Sequence, residues 1–268
     1  MGRTIKLLLL FFTYQLAVNG AFKCLYMLYN HSTEMPVASG DAYVTFLLVV
    51  QVTIALCLSV HLLLGKYVRL GRKEWNFCKS PIMWMWTFVF IVGMGLWNNY
   101  LSELAALPNT KEDFFEEMMS RPLGIFATVI MASIMEELLF RGAIQGHLMR
   151  LWKNPLWAII VSSFLFGVVH GNPAQIPFAF IMGLGLGWIY YKTGSLAPCF
   201  FMHFVNNGSA VLIFGLTDNP NATMIGTYGI VIATGLALLG GIFTFLGVYG
   251  IKKYLKDQSV VWYNSDDL

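Results

Sequence analysis

Two adjacent glutamates and an arginine stand inside an apolar stretch, which reads MEELLFR from residue 135 to residue 141. Glu137 and Arg141 are four positions apart, so on a helix they share a face where carboxylate and guanidinium can pair. Glu136 is turned about 100° away on the same helix. A charged side chain near the middle of a membrane-spanning helix costs about 2.5–3.5 kcal/mol, so such residues are expected to be paired and functional. The motif predicts a supporting ion pair, Glu137–Arg141, and a second carboxylate, Glu136, able to face a cavity as a general base.

Two further apolar stretches contribute imidazoles and an amide. His170 ends the run FLFGVVH, and His203 lies in FFMHFVNN, where Asn207 follows four positions later on the same helical face. A carboxylate base, imidazoles that orient water or bind a metal, and an amide donor for a developing oxyanion are the components of a hydrolytic site. Taken singly, the acid–arginine motif can also be a buried ion pair that fixes helix packing, and each histidine a packing residue. Their occurrence on three neighbouring apolar stretches favours one shared site.

The composition indicates an integral membrane protein. Of the 268 residues, 57% are hydrophobic and 12% are charged, against roughly a quarter charged in an ordinary soluble domain. Apolar runs of the length that a spanning helix needs, about 20 residues, recur along almost the whole chain. The net charge of +3 is too small to indicate binding to nucleic acid. We therefore expect an all-α, polytopic helical bundle in the lipid bilayer of the cell membrane, with no nucleic-acid partner.

Eight apolar segments, separated by turn-forming residues, are predicted to span the membrane. They cover residues 5–29, 42–64, 81–100, 123–148, 156–170, 175–191, 196–214 and 224–251. The first could pass for a signal peptide, because Arg3 and Lys6 precede an apolar core. Its apolar character continues through residues 25–28, beyond a normal signal core, so we expect it to be retained as a first helix.

Basic residues mark alternate loops. On one side of the predicted membrane they are Arg3, Lys6, Lys66, Arg69, Arg72, Lys73, Lys79, Arg150, Lys153, Lys192, Lys252, Lys253 and Lys256. The opposite loops carry mainly acids, namely Glu34, Asp41, the segment from Glu103 to Glu117, and Asp218. Because cytoplasmic loops are enriched in lysine and arginine, both termini are predicted to be cytoplasmic, as an even number of spans also requires.

The predicted spans divide one integral membrane domain into three parts. Residues 1–121 hold the first three helices and their loops, residues 122–214 hold every candidate site residue, and residues 215–268 hold the last helix and a cytoplasmic tail. The segment from Ser102 to Arg121 is amphipathic and predicts a short interfacial helix, with a gate over a substrate entrance as the alternative. Gly183 and Gly187 form a GxxxG face, which either packs closely on a neighbouring helix or lines a substrate groove.

Three motifs occur in order, EExxxR from residue 136, FxxxH ending at residue 170 and HxxxN from residue 203. This pattern resembles the CAAX protease and bacteriocin-processing family (CPBP, also called Abi), which includes the type II CAAX prenyl endopeptidases. The resemblance covers residues 123–208. It implies an all-helical fold of about eight spans, a cavity facing the cytoplasm, a catalytic core within residues 122–214, and peptide-bond hydrolysis inside the membrane.

By the positions of the motifs, the resemblance implies that Glu136 activates the attacking water and that His170 helps. His203 and Asn207 would stabilise the tetrahedral oxyanion, while the glutamate–arginine pair supports the site. The substrate would be a membrane-associated, lipidated or leader or signal peptide on a peptide or protein partner. The sequence has no HExxH zinc motif, no GxSG of rhomboid proteases and no aspartate pair suited to presenilin-like chemistry.

Two questions stay open at this stage. Glu136, His170 and His203 would suffice as three ligands for zinc, so zinc is a candidate cofactor beside a metal-free glutamate mechanism. The same fold could also serve as a non-catalytic membrane scaffold or regulator that binds partner proteins. A proton-coupled transporter is a third class, but no pair of broken helices and no inverted repeat favours it.

Overall fold

The computed structural model describes residues 2–31, 41–68, 70–71, 77, 79–217 and 222–256, and this part of the chain contains helices and no strand. The helices are α1 (Gly2–Asn30), α2 (Asp41–Leu64), α3 (Pro81–Ala105), α4 (Glu112–Met119), α5 (Pro122–Trp152), α6 (Pro155–Val169), α7 (Ile176–Thr193), α8 (Ala197–Thr217) and α9 (Met224–Tyr254). Among them, α1, α2, α3, α5, α8 and α9 are long and apolar enough to cross a membrane. The prediction of a multi-pass helical membrane bundle is confirmed.

Each of the eight predicted spans coincides with a helix. Two of these eight helices, α6 with 15 residues and α7 with 18, are not among the six that are long and apolar enough to cross a membrane. The count of eight spans and the cytoplasmic placement of both termini therefore stay predictions. Glu34, Asp218 and the predicted tail after Lys256 lie outside the described residues.

Helix α5 is the central helix of the bundle and carries the two adjacent glutamates. All nine residues of its segment Glu137–Gln145 are buried. Two segments of α5, Phe126–Ala132 and Glu137–Gln145, are π-helical rather than α-helical. Such wide turns are rare, and they occur frequently at functional sites. In the second segment the carbonyl of Phe140 also accepts a 2.8 Å hydrogen bond from Ser162 Oγ, which ties α5 to α6.

Helices α3 and α9 pack at very short range because glycines lie between them. A Cβ added at Gly93 would lie 2.4 Å from the backbone nitrogen of Thr244, and one added at Gly247 would lie 2.6 Å from Cα of Phe90. Trp97 Nε1 also donates to Thr244 Oγ1 over 3.0 Å. Close packing through small residues is the usual means by which membrane helices associate.

Contacts between loops show which ends of the helices lie together. At one end, Ser80 before α3 donates to the hydroxyl of Tyr254 at the end of α9, over 2.9 Å. At the other end, the carboxylate of Glu103 accepts from the backbone N–H groups of Met224 and Ile225 over 2.6 and 2.8 Å. Alternate loops thus meet at the same end, as expected for successive antiparallel spans.

The amphipathic segment after α3 contains the short helix α4. Its Met118 is 1% exposed and packs against Val44 and Leu48 of α2, with Phe114 and Phe115 beside them. The prediction of a short helix in this segment is therefore confirmed, and its apolar face covers the first turns of α2. Its location at a membrane interface stays a prediction.

The GxxxG face of α7 packs against α5 and α6. A Cβ at Gly183 would lie 2.9 Å from Cβ of Ser163, and one at Gly187 would lie 2.8 Å from Oε1 of Gln145. Gln145 Nε2 donates to the carbonyl of Gly187 over 2.8 Å. Close packing, rather than the lining of a groove, is what these two buried glycines provide.

We predict that Gly247→Ala destabilises the bundle by about 1–3 kcal/mol, because the new methyl group meets the backbone of Phe90 and forces α3 and α9 apart. Gly241→Ala is the matched control in the same helix, since a Cβ there has nothing within 4 Å. The measurement is the unfolding midpoint of both variants in detergent micelles. Equal midpoints for the two variants would contradict the packing described for this pair.

Candidate active site

The candidate site contains a buried ion pair. Arg141 Nη1 donates to Oε1 of Glu137 over 2.8 Å, and the two side chains are 1% and 0% exposed. The guanidinium carbon of Arg141 also lies 4.2 Å from the centre of the Phe166 ring. The predicted Glu137–Arg141 pairing is confirmed. A charge buried this deeply needs such a partner, because its desolvation would otherwise cost several kcal/mol.

His203 connects this ion pair to the second glutamate. Its Nδ1 lies 2.8 Å from Oε1 of Glu137, and its Nε2 lies 3.6 Å from Oε2 of Glu136. Glu137 therefore orients the imidazole so that the other ring nitrogen faces Glu136. The side chain of Glu136 is 19% exposed, and its buried Oε2 has no hydrogen-bond partner among the described residues. An unpartnered carboxylate oxygen beside an imidazole is a place where a water molecule can be bound.

Phe166, the first residue of the FxxxH motif, brings the two histidines to one place. Its ring makes edge contacts with the rings of His170 and His203, at centroid distances of 5.0 and 5.7 Å. Its carbonyl accepts a 2.8 Å hydrogen bond from Nδ1 of His170. Because a carbonyl can only accept, Nδ1 carries the proton, and Nε2 of a neutral His170 is left as an acceptor.

The loop before α4 holds the end of α6, where His170 lies. Lys111 Nζ donates to the carbonyl of His170 over 2.6 Å. Asn172, which is 1% exposed, donates to Oδ1 of Asn109 over 2.8 Å and accepts from the backbone of Thr110 over 3.2 Å. A positive charge at the C-terminal end of a helix is favourable. These contacts fix the backbone that carries His170.

The side-chain nitrogen of Asn207 contacts α5. Its Nδ2 donates to the carbonyl of Thr128 over 3.0 Å and lies 3.4 Å from Oγ of Ser133. Its Oδ1 accepts from Asn206 over 3.1 Å. The role of oxyanion donor, implied by the resemblance, would require Asn207 to exchange the longer of these contacts for the substrate oxygen.

A cavity of about 470 Å³ adjoins these residues and is lined by His170, His203, Asn207 and Phe166 together with mainly apolar side chains. Its lining comes mainly from α3, α6, α7 and α8, and along α8 it extends from His203 to Ile213. The resemblance implied a cytoplasmic cavity and the charges predict cytoplasmic termini. The side of the membrane on which this cavity opens and the side on which the termini lie both stay predictions.

The candidate zinc ligands Glu136, His170 and His203 do not form a metal site here. Over the described residues, no three side chains of His, Cys, Asp or Glu are grouped so that they could hold a metal ion. His203 has each of its ring nitrogens directed at a glutamate. The donor types suit zinc, but their arrangement over the described residues does not bring three of them together, so no step through a metal is derived.

Several contributors to the site were missed in the sequence. Phe166 was noted only as a motif letter, although its ring contacts Arg141 and both histidines. Lys111 and Asn172 lie outside the three motifs, and nothing in their spacing indicated that they help to hold the end of α6. The motif letter was the one signal that could have identified Phe166.

Arg141, Glu137 and His203 contact one another in series, and His203 lies both beside the unpartnered Glu136 and at the wall of the cavity. These features define a multi-pass membrane protein with a candidate hydrolytic site. Residues 118–209 match the family model described as type II CAAX prenyl endopeptidase Rce1-like. This segment includes all three motifs, and the resemblance that they carry is confirmed there.

The chain is also similar to curated proteins. It is 37% identical over 106 residues to the membrane-embedded CAAX protease MroQ of Staphylococcus aureus (strain USA300), which covers 38% of this chain and 42% of MroQ. It is 30% identical over 92 residues to YdiL of Bacillus subtilis (strain 168), which is named provisionally as a membrane peptidase, covering 34% of this chain and 37% of YdiL. Each match spans less than half of the relative's length. No solved structure is significantly similar to the chain.

We predict that Arg141→Met lowers the free energy of unfolding by about 3–5 kcal/mol, because it leaves the Glu137 carboxylate buried without its cation. The double variant Glu137→Gln/Arg141→Met should recover part of this loss, since it removes the uncompensated charge. Unfolding in detergent micelles, followed by tryptophan fluorescence, measures both. A single variant as stable as the double variant would mean that the ion pair does not hold the site together.

Proposed function

We propose that this protein is an intramembrane endopeptidase that hydrolyses a peptide bond with a water molecule activated by Glu136. The observation that carries the proposal is the 3.6 Å separation between the unpartnered Oε2 of Glu136 and Nε2 of His203. Two polar atoms at that distance can both lie within about 2.8 Å of one water oxygen. The site therefore offers a position for a nucleophilic water between a base and an imidazole.

The reaction follows from the roles of these groups. Glu136 removes a proton from the water as its oxygen bonds to the carbonyl carbon of the scissile peptide, which gives a tetrahedral intermediate. His203, protonated at Nδ1 by its bond to Glu137, donates from a protonated Nε2 to the developing oxyanion. Collapse of the intermediate breaks the C–N bond, and the proton held by Glu136 passes to the leaving amine.

The buried charges support this chemistry. An imidazolium at His203 would lie beside Glu137, whose carboxylate also accepts from Arg141. The low-dielectric surroundings strengthen these interactions, and the fixed geometry needs little reorganisation during the reaction. His170, whose Nε2 is left as an acceptor, is assigned to help orient the water. Asn207 is assigned to the oxyanion after it exchanges its contact with Ser133 for the substrate.

The proposed substrate is a membrane-associated, lipidated, leader or signal peptide. The location of the site within a helical membrane bundle supports a substrate that reaches it from the membrane. The similarity to MroQ, which is named as a membrane-embedded CAAX protease, supports the proposed reaction class. The cell membrane is the proposed location.

We predict that Glu136→Gln lowers the initial cleavage rate by about 10²–10⁴-fold, because glutamine keeps the shape of glutamate but cannot take the proton from water. The measurement uses purified protein in lipid nanodiscs and a pool of internally quenched peptides with uncharged side chains. Glu116→Gln, an exposed carboxylate-to-amide change on α4, is the matched control and should leave the rate unchanged.

The unfolding midpoint of Glu136→Gln should equal that of the unchanged protein, so that lost activity is not lost folding. Cleavage by Glu136→Gln at the normal rate would remove the catalytic assignment. Full complementation of a deletion strain by Glu136→Gln would instead favour the non-catalytic scaffold.

We also predict that a zinc chelator leaves the cleavage rate unchanged, because the proposed mechanism uses a glutamate and an imidazole and no metal-bound water. The rate is measured before and after dialysis against the chelator, and the metal content of the dialysed protein is determined. Loss of activity on dialysis, with recovery on adding zinc, would be evidence for a metallopeptidase.

A further inference from the structure

The ends of three helices meet around Arg3, in the first turn of α1. The guanidinium carbon of Arg3 lies 5.2 Å from the centre of the ring of Tyr67, which follows the end of α2. Val68, the next residue, lies against α5, since a Cβ added at Gly142 would lie 2.7 Å from Cγ2 of Val68. Helix α1 also contacts the segment Gly146–Trp152 at the end of α5. The start of α1 and the ends of α2 and α5 therefore surround one arginine side chain.

Arg3 is partly buried, and no aspartate or glutamate of the described residues pairs with it. Its Nε is buried and donates to no acceptor in this part of the chain. Thr4, the next residue, is 5% exposed, and its hydroxyl likewise has no hydrogen-bond partner there. A cation and a hydroxyl that are removed from water without partners are unfavourable. Binding of an anion at this position would therefore be stabilising.

Further basic side chains lie around Arg3. The charges of Arg3 and Arg150 both act on the imidazole of His147, so these side chains of α1 and α5 lie close together. A Cβ added at Gly146 would lie 3.5 Å from Nη1 of Arg150, so this guanidinium extends back along α5 to the level of Gly146. Segments 2–8, 61–68 and 146–154 contain no aspartate or glutamate, and their lysines and arginines are Arg3, Lys6, Lys66, Arg150 and Lys153. The electrostatic potential of such a cluster attracts anions.

We infer that the cluster around Arg3 binds the phosphate group of an anionic phospholipid, with the guanidinium of Arg3 as the principal donor. A guanidinium can donate two parallel hydrogen bonds to phosphate oxygens. The first N–H groups of α1 have no partner within the helix, and the positive end of the helix dipole favours the same phosphate. His147 supplies a ring N–H at the end of α5. None of these residues lines the cavity of the candidate active site, so the inference is independent of the proposed function.

The position of α1 in the bundle favours a lipid over a soluble anion. Among the six described helices of membrane length, α1 is the least buried, and its exposed side chains include Ile5, Leu9 and Phe12. Arg3 therefore lies at the end of a helix whose outer surface faces lipid. Basic pockets between membrane helices bind the head groups of anionic lipids. A phospholipid can pair its phosphate with Arg3 and place its acyl chains against the outer surface of α1, whereas inorganic phosphate makes only the first of these contacts.

The first test compares ligands. Purified protein in detergent micelles is titrated with phosphatidylglycerol, phosphatidylcholine or inorganic phosphate, and the unfolding midpoint is followed by tryptophan fluorescence. A ligand that binds only the folded protein raises this midpoint. We expect a saturable rise with phosphatidylglycerol alone. An equal rise with phosphatidylcholine would show that the charge of the lipid is not recognised, and an equal rise with inorganic phosphate that no lipid is needed. Either result, or no rise with phosphatidylglycerol, would overturn the inference.

The second test separates a specific site from general attraction to positive charge. Arg3→Gln removes the principal donor, and Lys252→Gln removes the same charge from an exposed position in the last turn of α9. We expect Arg3→Gln to raise the half-saturating concentration of phosphatidylglycerol by about tenfold or more, because charge-assisted hydrogen bonds are lost. Lys252→Gln should leave this concentration unchanged. Equal effects of the two variants would overturn the inference.

A lipid-retention measurement covers the case in which Arg3→Gln does not fold. The unchanged protein, Arg3→Lys and Lys252→Gln are extracted from vesicles made of equal parts of phosphatidylglycerol and phosphatidylcholine, and the retained lipids are counted by native mass spectrometry. We expect enrichment of phosphatidylglycerol on the unchanged protein and on Lys252→Gln. Arg3→Lys should retain less, because lysine keeps the charge but loses the paired donors of the guanidinium. The same enrichment on all three proteins would contradict the role assigned to Arg3.

Discussion

A single carboxylate oxygen, Oε1 of Glu137, holds the candidate site together. It accepts from Arg141 on its own helix and from His203 on α8, each over 2.8 Å and both in a buried position. Burial of the guanidinium or of the carboxylate alone would cost several kcal/mol of desolvation free energy. Each of the two charges is therefore stable there only because the other is present. The orientation of the imidazole follows from this contact, and with it the 3.6 Å separation from Glu136 on which the proposed chemistry depends.

The rest of the bundle serves this contact by keeping helices close. Glycines let α7 approach α5, where the carbonyls of Gly183 and Gly187 face Arg141 and Gln145. The ring of Phe166 fills the space under the guanidinium and between the two histidines. A loop outside the spans fixes the end of α6 through Lys111. Packing and polar contacts thus act on the same few side chains.

The sequence predicted much of this arrangement for identifiable reasons. Long apolar runs define where helices lie, and a four-residue spacing places Glu137 with Arg141 on one face, which the structure confirms. Spacing within a helix says nothing about which helices are neighbours or at what depth. For that reason, the direct contact of His203 with Glu137 and the contact of Lys111 with His170 were not predicted. The expected direction of the cavity came from the family resemblance and not from the residues, and it stays a prediction.

The π-helical turns of α5 have a consequence for how this helix can vary. Each wide turn accommodates one residue more than an α-helical turn, as if a residue had been inserted. In an α-helix one residue corresponds to a rotation of about 100°. Removal of one residue from the segment Phe126–Ala132 would therefore turn everything on one side of it relative to the other. An insertion or deletion of one residue in this segment during evolution can therefore change the direction in which the two glutamates face, relative to the first turns of α5.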